Sequence, residues 1–475
     1  MKTSSPITAF LSCSSGCRGQ QTADSPGHAP FALPARSSRA LISLLLASAA
    51  FAQGPRIARE ADRRAAAPVP SGADAASLSA LLQEAQRDNP SIRAARQGWR
   101  AAGEVPSQVA TLPDPEVQLQ QFSVGSPRPF AGFTSSNFAY AGVGISQGLP
   151  YPGKLRLRGE IARRDAEADE QQYEAVRRAV FAELKSVYFR LAYLAKTFGI
   201  LEGDGALLKQ VTEAARARYR SGMGTQQDLI QAQLEQTELL QEVTRRRLER
   251  DRSEAQIKQL LDRPQSSPDI EPAGISETPL PRTYEALLAA AEANDPEIGA
   301  AQRRVEAQSS QVALARKDFY PDFVVQYMVQ RTDPAKYAAY YMATLGVRVP
   351  LFTRRRQRRE LAQARALFAR SRSDYEAQRA QIASELRADY ATADRTAELL
   401  AIYRGGLDPQ AHAEFRAGLA GYESGRQDFQ GLLAAFLDVL RFDEGYWRNL
   451  AAYETAVAGL EQLTGLPLRN EGARP

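Results

Sequence analysis

Residues 154–221 run for 68 positions without a proline. Within them Val180, Leu184, Val187, Leu191, Leu194, Phe198 and Leu201 follow spacings of 4, 3, 4, 3, 4 and 3. The mean of 3.5 residues is the period at which an apolar seam stays turned toward a neighbouring helix. Phe181, Tyr188 and Ala195 form a second line seven residues apart, displaced by one position. One seam suits a helix pair, and two adjacent seams suit a helix with a neighbour on each side. At 1.5 Å rise per residue such a helix is about 100 Å long, more than a compact domain requires. A plain coiled-coil rod satisfies the period as well as a helical wall does. The rest of the chain has to decide between them.

The chain is duplicated. Leu81-Leu82 followed by Asn89-Pro90-x-Ile92 recurs 206 residues later as Leu287-Leu288 followed by Asp295-Pro296-x-Ile298. Leu112-Pro113-Asp114-Pro115 recurs as Tyr320-Pro321-Asp322-Phe323, at an offset of 208. Tyr219-x-Ser221-Gly222 recurs as Tyr422-x-Ser424-Gly425, at 203, and Leu260 to Pro264 is answered by Leu463 to Pro467. Copies of about 200 residues are too large for a solenoid unit. The repeats span 77–262 and 283–467, joined by an irregular Pro/Ser-rich connector at 263–282 and followed by a tail at 468–475.

Each copy follows one order. A short helix stops at the Asn/Asp-Pro, because the residue before proline leaves the helical region. A second helix runs to about Ala110 or Lys317. Two strand-like segments come next, then a long helix, a glycine turn and a return helix. In the second copy Phe323, Val325, Tyr327 and Val329 alternate with Gln326 and Gln330, and Tyr341, Ala343, Leu345, Val347 and Val349 alternate likewise. In the first, Val117 and Leu119 alternate with glutamines, and Ala139, Ala141, Val143 and Ile145 form the return strand. The loops 123–136 and 331–339 carry the turn formers. Strands of about ten residues, apolar at every second position, fit a membrane β-strand, although any single one also fits a soluble hairpin. Four strands cannot close a barrel, and lipid tolerates no open edge. Strands that span a bilayer here require several chains.

The amino terminus sets the compartment. Arg36 and Arg39 precede an apolar run at 40–51 that ends in Ala50-Phe51-Ala52. This is a secretory signal, 1–52, with an over-long basic n-region, and it is too short for a membrane anchor. Residues 53–76 are small and charged, a flexible segment in composition. The chain of 475 residues carries 60 Lys+Arg and 55 Asp+Glu, and removal of the signal leaves a net charge of +2. That balance gives nucleic acid no footing. Both cysteines, Cys13 and Cys17, fall in the signal, and only His412 remains beyond it. The exported chain therefore holds no disulfide, no cysteine-based zinc site and no His cluster. No cofactor or metal is expected. No Ser/His/Asp set, Walker loop or carboxylate pair stands out, so the chain does not read as an enzyme.

The turns between the long helices are the candidate contact surfaces. Gly222-Met223-Gly224-Thr225 ends one helix with a left-handed glycine and starts the next with a threonine cap, and Asp228 completes a near capping box. Gly425 and Asp428 take the glycine and cap positions in the second copy. Ordinary helix punctuation explains these residues equally well. The run Arg354-Arg355-Arg356-Gln357-Arg358-Arg359 opens the second long helix against its dipole. Its milder counterpart is Lys154, Arg156 and Arg158. Solvated surface is the first reading for both, with lipid phosphates or a pore mouth as alternatives. Trp99 and Trp447 read as packing residues.

Taken in order, these motifs resemble the TolC family of outer-membrane efflux channels over roughly 77–467. The resemblance rests on the duplication, the Asn89-Pro90 and Asp295-Pro296 breaks and Leu149-Pro150-Tyr151-Pro152-Gly153-Lys154. It also rests on the Tyr-x-x-Gly motifs at Tyr219 and Tyr422, followed by the helix start at Asp228-Leu229-Ile230. It implies a mostly α fold with a small transmembrane β part. Duplicated helical hairpins would form a trimeric α-barrel, and four strands per chain would enter a shared 12-stranded β-barrel. It implies a homotrimer in the outer membrane of a Gram-negative cell, reaching through the periplasm to an adaptor and an inner-membrane pump of the resistance-nodulation-division type. Tyr219, Gly222, Thr225, Tyr422, Gly425 and Asp428 would meet the adaptor. Family members narrow the pore with acidic tip residues, a position that falls on Asp228 in the first copy and on Gly431 in the second, so a charged ring would have three carboxylates. The Pro-Tyr-Pro-Gly-Lys junction is similar to the heavy-metal branch, which favours metal cations slightly over drugs as cargo. The alternatives are a duct for an ABC-type protein secretion pump and a periplasmic coiled-coil scaffold or adaptor.

Overall fold

The computed structural model describes residues 77–122, 139–280, 282–331 and 339–468. The signal, the 53–76 segment, the loop 123–136 and the chain beyond 468 lie outside them, as does most of the loop 331–339. In the first copy Ser77 caps α1 (Leu78–Asp88), its hydroxyl accepting from the Ala80 N–H at 3.3 Å. Asn89 ends α1 and caps α2 (Pro90–Ala110), where proline's missing N–H costs nothing at the first helical position. Asn89 Oδ1 accepts from the Ile92 N–H, and Nδ2 donates to the Leu260 carbonyl at 2.8 Å. In the second copy Asp295 separates α5 (Tyr284–Asn294) from α6 (Pro296–Lys317). Its Oδ1 accepts from the N–H groups of Glu297 and Ile298 at 2.9 and 3.0 Å.

The first copy's long hairpin is α3 (Lys154–Arg220), 67 residues, and α4 (Gln226–Leu260). The second copy's is interrupted. It runs as α7 (Gln357–Ile402), a π-helical turn at Tyr403–Leu407, α8 (Asp408–Glu423) and α9 (Phe429–Thr464). Gly405, Gly406 and Pro409 account for the turn: weak helix formers sit beside a ring that removes one ladder bond. The interrupted helix still spans the same number of residues as α3. The basic run straddles its start: Arg354 and Arg355 lie in a turn, Arg356 is the N-cap, and Gln357 is the first helical residue.

The first seam of α3 is buried as spaced except at the half-buried Phe198, with Leu184 and Leu194 fully enclosed and Val187 and Leu191 nearly so. The second holds only in part. Phe181 and Tyr188 pack inward, but Ala195 is exposed, and the buried face continues through Thr197, Leu201 and Leu208. Its partners supply the reason: α3 packs against α2 and α6 in its first half and against α4 and α9 further on. A strict heptad drifts across the surface of such a helix as its neighbours change. One core joins α1, α3, α5, α7 and α9, and it includes Ile270 and Ile275 of the irregular connector. Trp99 and Trp447 pack against that core, as read.

The strands β1 (Glu116–Phe122), β2 (Tyr140–Leu149), β3 (Asp322–Arg331) and β4 (Tyr340–Arg348) form one antiparallel sheet in the order β1-β2-β3-β4. The central β2–β3 seam joins the two copies, with Ile145 opposite Tyr327 and Gly148 opposite Val324. Val117, Ile145, Tyr327 and Ala343 line up across one face, and Leu119, Val143, Val329 and Tyr341 form the next row. The other face mixes glutamines and glycines with Phe122, Tyr140, Met328 and Met342, and there a Cβ on Gly142 would lie 2.8 Å from Gln330 and one on Gly144 3.1 Å from Met328. In the central strands the apolar face is the more exposed, with Val143 at 48% against Met328 at 2%, and in the edge strands β1 and β4 both faces are open, Leu119 at 86% and Leu345 at 71%. Among the described residues no helix is long and apolar enough to cross a membrane.

The two copies differ in how much they bury. Of 22 residues in α6, seven are buried, whereas α2 buries only Ile92 of 21. Likewise α9 buries 17 of 36 residues and α4 six of 35. Position explains the first contrast, because α6 packs against both α3 and α7.

Lys154 corrects the reading of a solvated basic start. It is 4% exposed, and its Nζ lies 3.0 Å from Asp322 Oδ1 and 3.2 Å from Asp318 Oδ1. Asp322 also accepts from the Tyr151 N–H at 2.8 Å. Arg156 and Arg158 are exposed, as expected.

Candidate functional site

The candidate residues meet where α3 turns into α4 and α8 into α9. Both turns use a left-handed glycine, Gly222 at φ 72° and Gly425 at φ 75°. The N–H groups of Met223 and Arg426 reach back to the carbonyls of Arg218 and Gly421, each at 2.9 Å. These are the 6→1 bonds of a glycine-terminated helix. Thr225 caps α4, its hydroxyl oxygen accepting from the Asp228 N–H at 3.2 Å. Asp428 caps α9, accepting from the Gly431 N–H at 2.9 Å. At Gly431, the counterpart of Asp228, the end of the Gln427 side chain takes the space of a Cβ, 2.6 Å from where it would stand.

The structure binds the two turns together through residues of unequal fate. Tyr219 is 46% exposed, whereas its counterpart Tyr422 is 1% exposed. The Tyr422 hydroxyl donates to Asp228 Oδ2 at 3.1 Å, and the Thr225 hydroxyl donates to Asp228 Oδ1 at 2.6 Å. Both oxygens of the candidate gate carboxylate thus have donors, one from each copy. Burial first, and then the neighbouring carboxylate, push the Tyr422 hydroxyl up to about 12. Arg218 completes the clasp. Its Nη1 donates to the Tyr422 carbonyl at 2.5 Å, its Nη2 to the Met223 carbonyl at 3.1 Å, and the guanidinium lies 4.6 Å from the Tyr422 ring centre. Phe429 meets the same ring edge-on at 5.7 Å.

Arg218 escaped the sequence reading because its partner Tyr422 lies in the other copy, and Phe429 because its contact with Tyr422 is made only once the turn between them has closed. His412 is also less isolated than it looks in the sequence. Its Nε2 lies 3.1 Å from Asp443 Oδ1 and 3.7 Å from Asp408 Oδ1, and one ligand atom of each residue falls within 4.8 Å of the others. Burial pushes Asp443 up to about 6, with Asp408 adding to the rise and His412 opposing it.

A duplicated helical hairpin set on a four-stranded sheet is shared with known proteins. Residues 81–263 and 287–466 match the family model described as outer membrane efflux protein. No curated protein matches the chain. Among solved structures, the outer-membrane channel OprN is similar at 19% identity and a TM-score of 0.71, covering 82% of this chain and 89% of that one. VceC from Vibrio cholerae is similar at 18% identity and a TM-score of 0.70, with 82% and 96% covered. CusC is similar at 16% identity and a TM-score of 0.69, with 82% and 92% covered. At these identities the solved structures speak for the fold. The family match takes in both repeats, and on that ground the chain belongs to the outer membrane efflux protein family.

Proposed function

We propose that three copies of this chain form an outer-membrane efflux duct, passive and without catalysis, whose strands close a shared 12-stranded barrel. The observation that carries the proposal is the pair of open sheet edges. Positions 208 apart in β1 and β3, and 200 apart in β2 and β4, reproduce the two hairpin registers, for Glu116 opposite Ser146 becomes Val324 opposite Gly346. Applying the same offsets to the β2–β3 seam, in which Gly148 faces Val324 and Ile145 faces Tyr327, pairs β4 of one copy with β1 of the next. That register sets Arg348 opposite Glu116, Val347 opposite Val117 and Leu345 opposite Leu119. Charges meet opposite charges, and the apolar rows run on unbroken. The even offsets carry the apolar rows across by parity, and the meeting of Arg348 with Glu116 is the part they do not dictate. The exposed face of α2 fits the same partner, since repetition of the α6–α3 contact would lay α2 against α7 of the neighbour.

On this reading the exposed apolar face of the sheet meets lipid and the long hairpins reach into the periplasm. The tips, with Tyr219, Gly222, Thr225, Tyr422, Gly425 and Asp428, face an adaptor that links the duct to an inner-membrane pump. Asp228 holds the two tips of each chain in register, and three such carboxylates narrow the pore. The Pro-Tyr-Pro-Gly-Lys junction favours metal cations over drugs as cargo and a pump of the resistance-nodulation-division type. Membrane fractionation and planar-bilayer recording test the whole. An outer-membrane pool with channel conductance supports it, and a protein confined to the soluble periplasm overturns it in favour of a coiled-coil scaffold.

A further inference from the structure

Between α3, α4 and α9 lies a cavity of about 500 Å³, a size suited to a drug-like molecule. Asp204 of α3 is in its wall, 2% exposed, and Asp204 Oδ2 is buried with no hydrogen-bond partner. A buried carboxylate without a partner carries a large desolvation cost unless a proton or a cation relieves it. Burial, together with Asp443 and Glu444, pushes Asp204 up to about 7. Glu235 and Glu238 of α4 share the wall, and burial and Glu238 both raise Glu235. The arginines of the wall are already paired, one within the wall and one outside it. Arg245 pairs with Glu242 at 2.9 Å and Arg441 with Asp438 at 2.9 Å. Leu201, Leu239, Phe436 and Leu440 supply an apolar side.

We infer that this cavity binds an amphiphilic organic cation, a cationic nitrogen on an apolar body, with Asp204 as its counter-ion. The duplication shows that packing does not require the acids. At an offset of 203, Leu407 stands in place of Asp204, and the internally paired Asp438 and Arg441 stand in place of Glu235 and Glu238. Leu407 closes the π-helical turn, so the comparison holds at the level of sequence position: an apolar residue and a neutralised pair stand where the first copy has three acids. A small metal ion suits the cavity less well. Among the described residues the group of carboxylate and imidazole atoms close enough to share one ion is Asp408, His412 and Asp443, none of which lines this cavity. Carboxylates interleaved with leucines and a phenylalanine on all three helices match a diffuse cation with an apolar body.

The inference concerns an occupant of the helical wall and not the cargo of the proposed duct, and its test needs neither membrane insertion nor conduction. Purified full-length protein in detergent is titrated with rhodamine 6G and followed by fluorescence polarisation. Saturable binding is expected, weakened at least tenfold by Asp204→Asn and severalfold by Glu235→Gln, while an equal concentration of Mg²⁺ leaves it in place. The near-isosteric Asp204→Asn removes an unpaired charge, and its melting temperature reports that the fold is intact. Binding that does not saturate, that is unchanged in both variants, or that yields to equimolar Mg²⁺ overturns the inference.

Discussion

Lys154 Nζ lies 3.0 Å from Asp322 Oδ1, so the first residue of α3 in one repeat holds the first residue of β3 in the other. The contact fixes the corner at which helix turns into strand, and it does so across the duplication. Lys154 is almost fully enclosed, while the Asp318 and Asp322 side chains are 38% and 35% exposed. Lys154→Met would leave two half-buried carboxylates short of a donor, at a cost on the order of 1–3 kcal/mol. Thermal unfolding of the variant should show a melting temperature several degrees lower, and restoring the charge with Lys154→Arg should recover only part of it, because the planar fork fits a point-charge site poorly.

At the tips, Gly222 and Gly425 carry positive φ, and no protein atom stands within 4 Å of a Cβ built on Gly222. The penalty for Gly222→Val is therefore conformational, about 1–2 kcal/mol. Chemical denaturation should register that loss, and Gly222→Asn, which tolerates the left-handed region, should avoid most of it.

Asp228 offers two separable effects. Asp228→Ala removes a charge and both acceptor oxygens, so cation preference in single-channel recordings should fall. Tyr422→Phe keeps the charge and removes one donor to Oδ2. It should leave the reversal potential in a salt gradient unchanged while raising the frequency of opening. Unchanged reversal potentials for Asp228→Ala would remove Asp228 from the pore.

Stability should fall as pH rises from about 4 to about 7. Asp204 is pushed to about 7 from its ordinary 3.8, so in that window the folded state binds more protons than the unfolded state, and stability declines with pH. The charged groups that face Asp204 are Asp443, Glu444 and Arg441 on α9 and Glu235, Glu238, Glu242 and Arg245 on α4, with Asp408 and His412 of α8 beside Asp443. Asp443, at about 6, contributes in the same direction. Melting temperatures between pH 5 and pH 8 should differ less for Asp204→Asn than for the native chain.

The order of elements was legible because it is written locally. Asn89-Pro90 and Asp295-Pro296 end helices by backbone sterics alone, the alternation from Phe323 to Val329 needs no partner to be seen, and Gly222 and Gly425 mark turns that L side chains resist. What escaped depends on residues far apart in the chain. Nothing near Lys154 announces that Asp318 and Asp322, in the other repeat, will enclose it. Ala195 sits on a heptad line and is exposed because α3 changes neighbours along its length. Gly405-Gly406 and Pro409 did carry a local signal for the π turn, and its meaning lies in the unbroken α3 of the other copy. Asp204 looks like one acid among many until its burial is known.

The most direct test of the proposed duct uses the absence of cysteine beyond residue 17. A chain carrying Leu119→Cys and Leu345→Cys, oxidised in isolated outer membranes, should yield a disulfide-linked species three chains in size under denaturing conditions. Pairing Leu119→Cys with Thr344→Cys, which points to the opposite face, should yield none. A double variant that stays monomeric on oxidation, or links equally well in the shifted register, would contradict a barrel closed by β4 of one copy on β1 of the next.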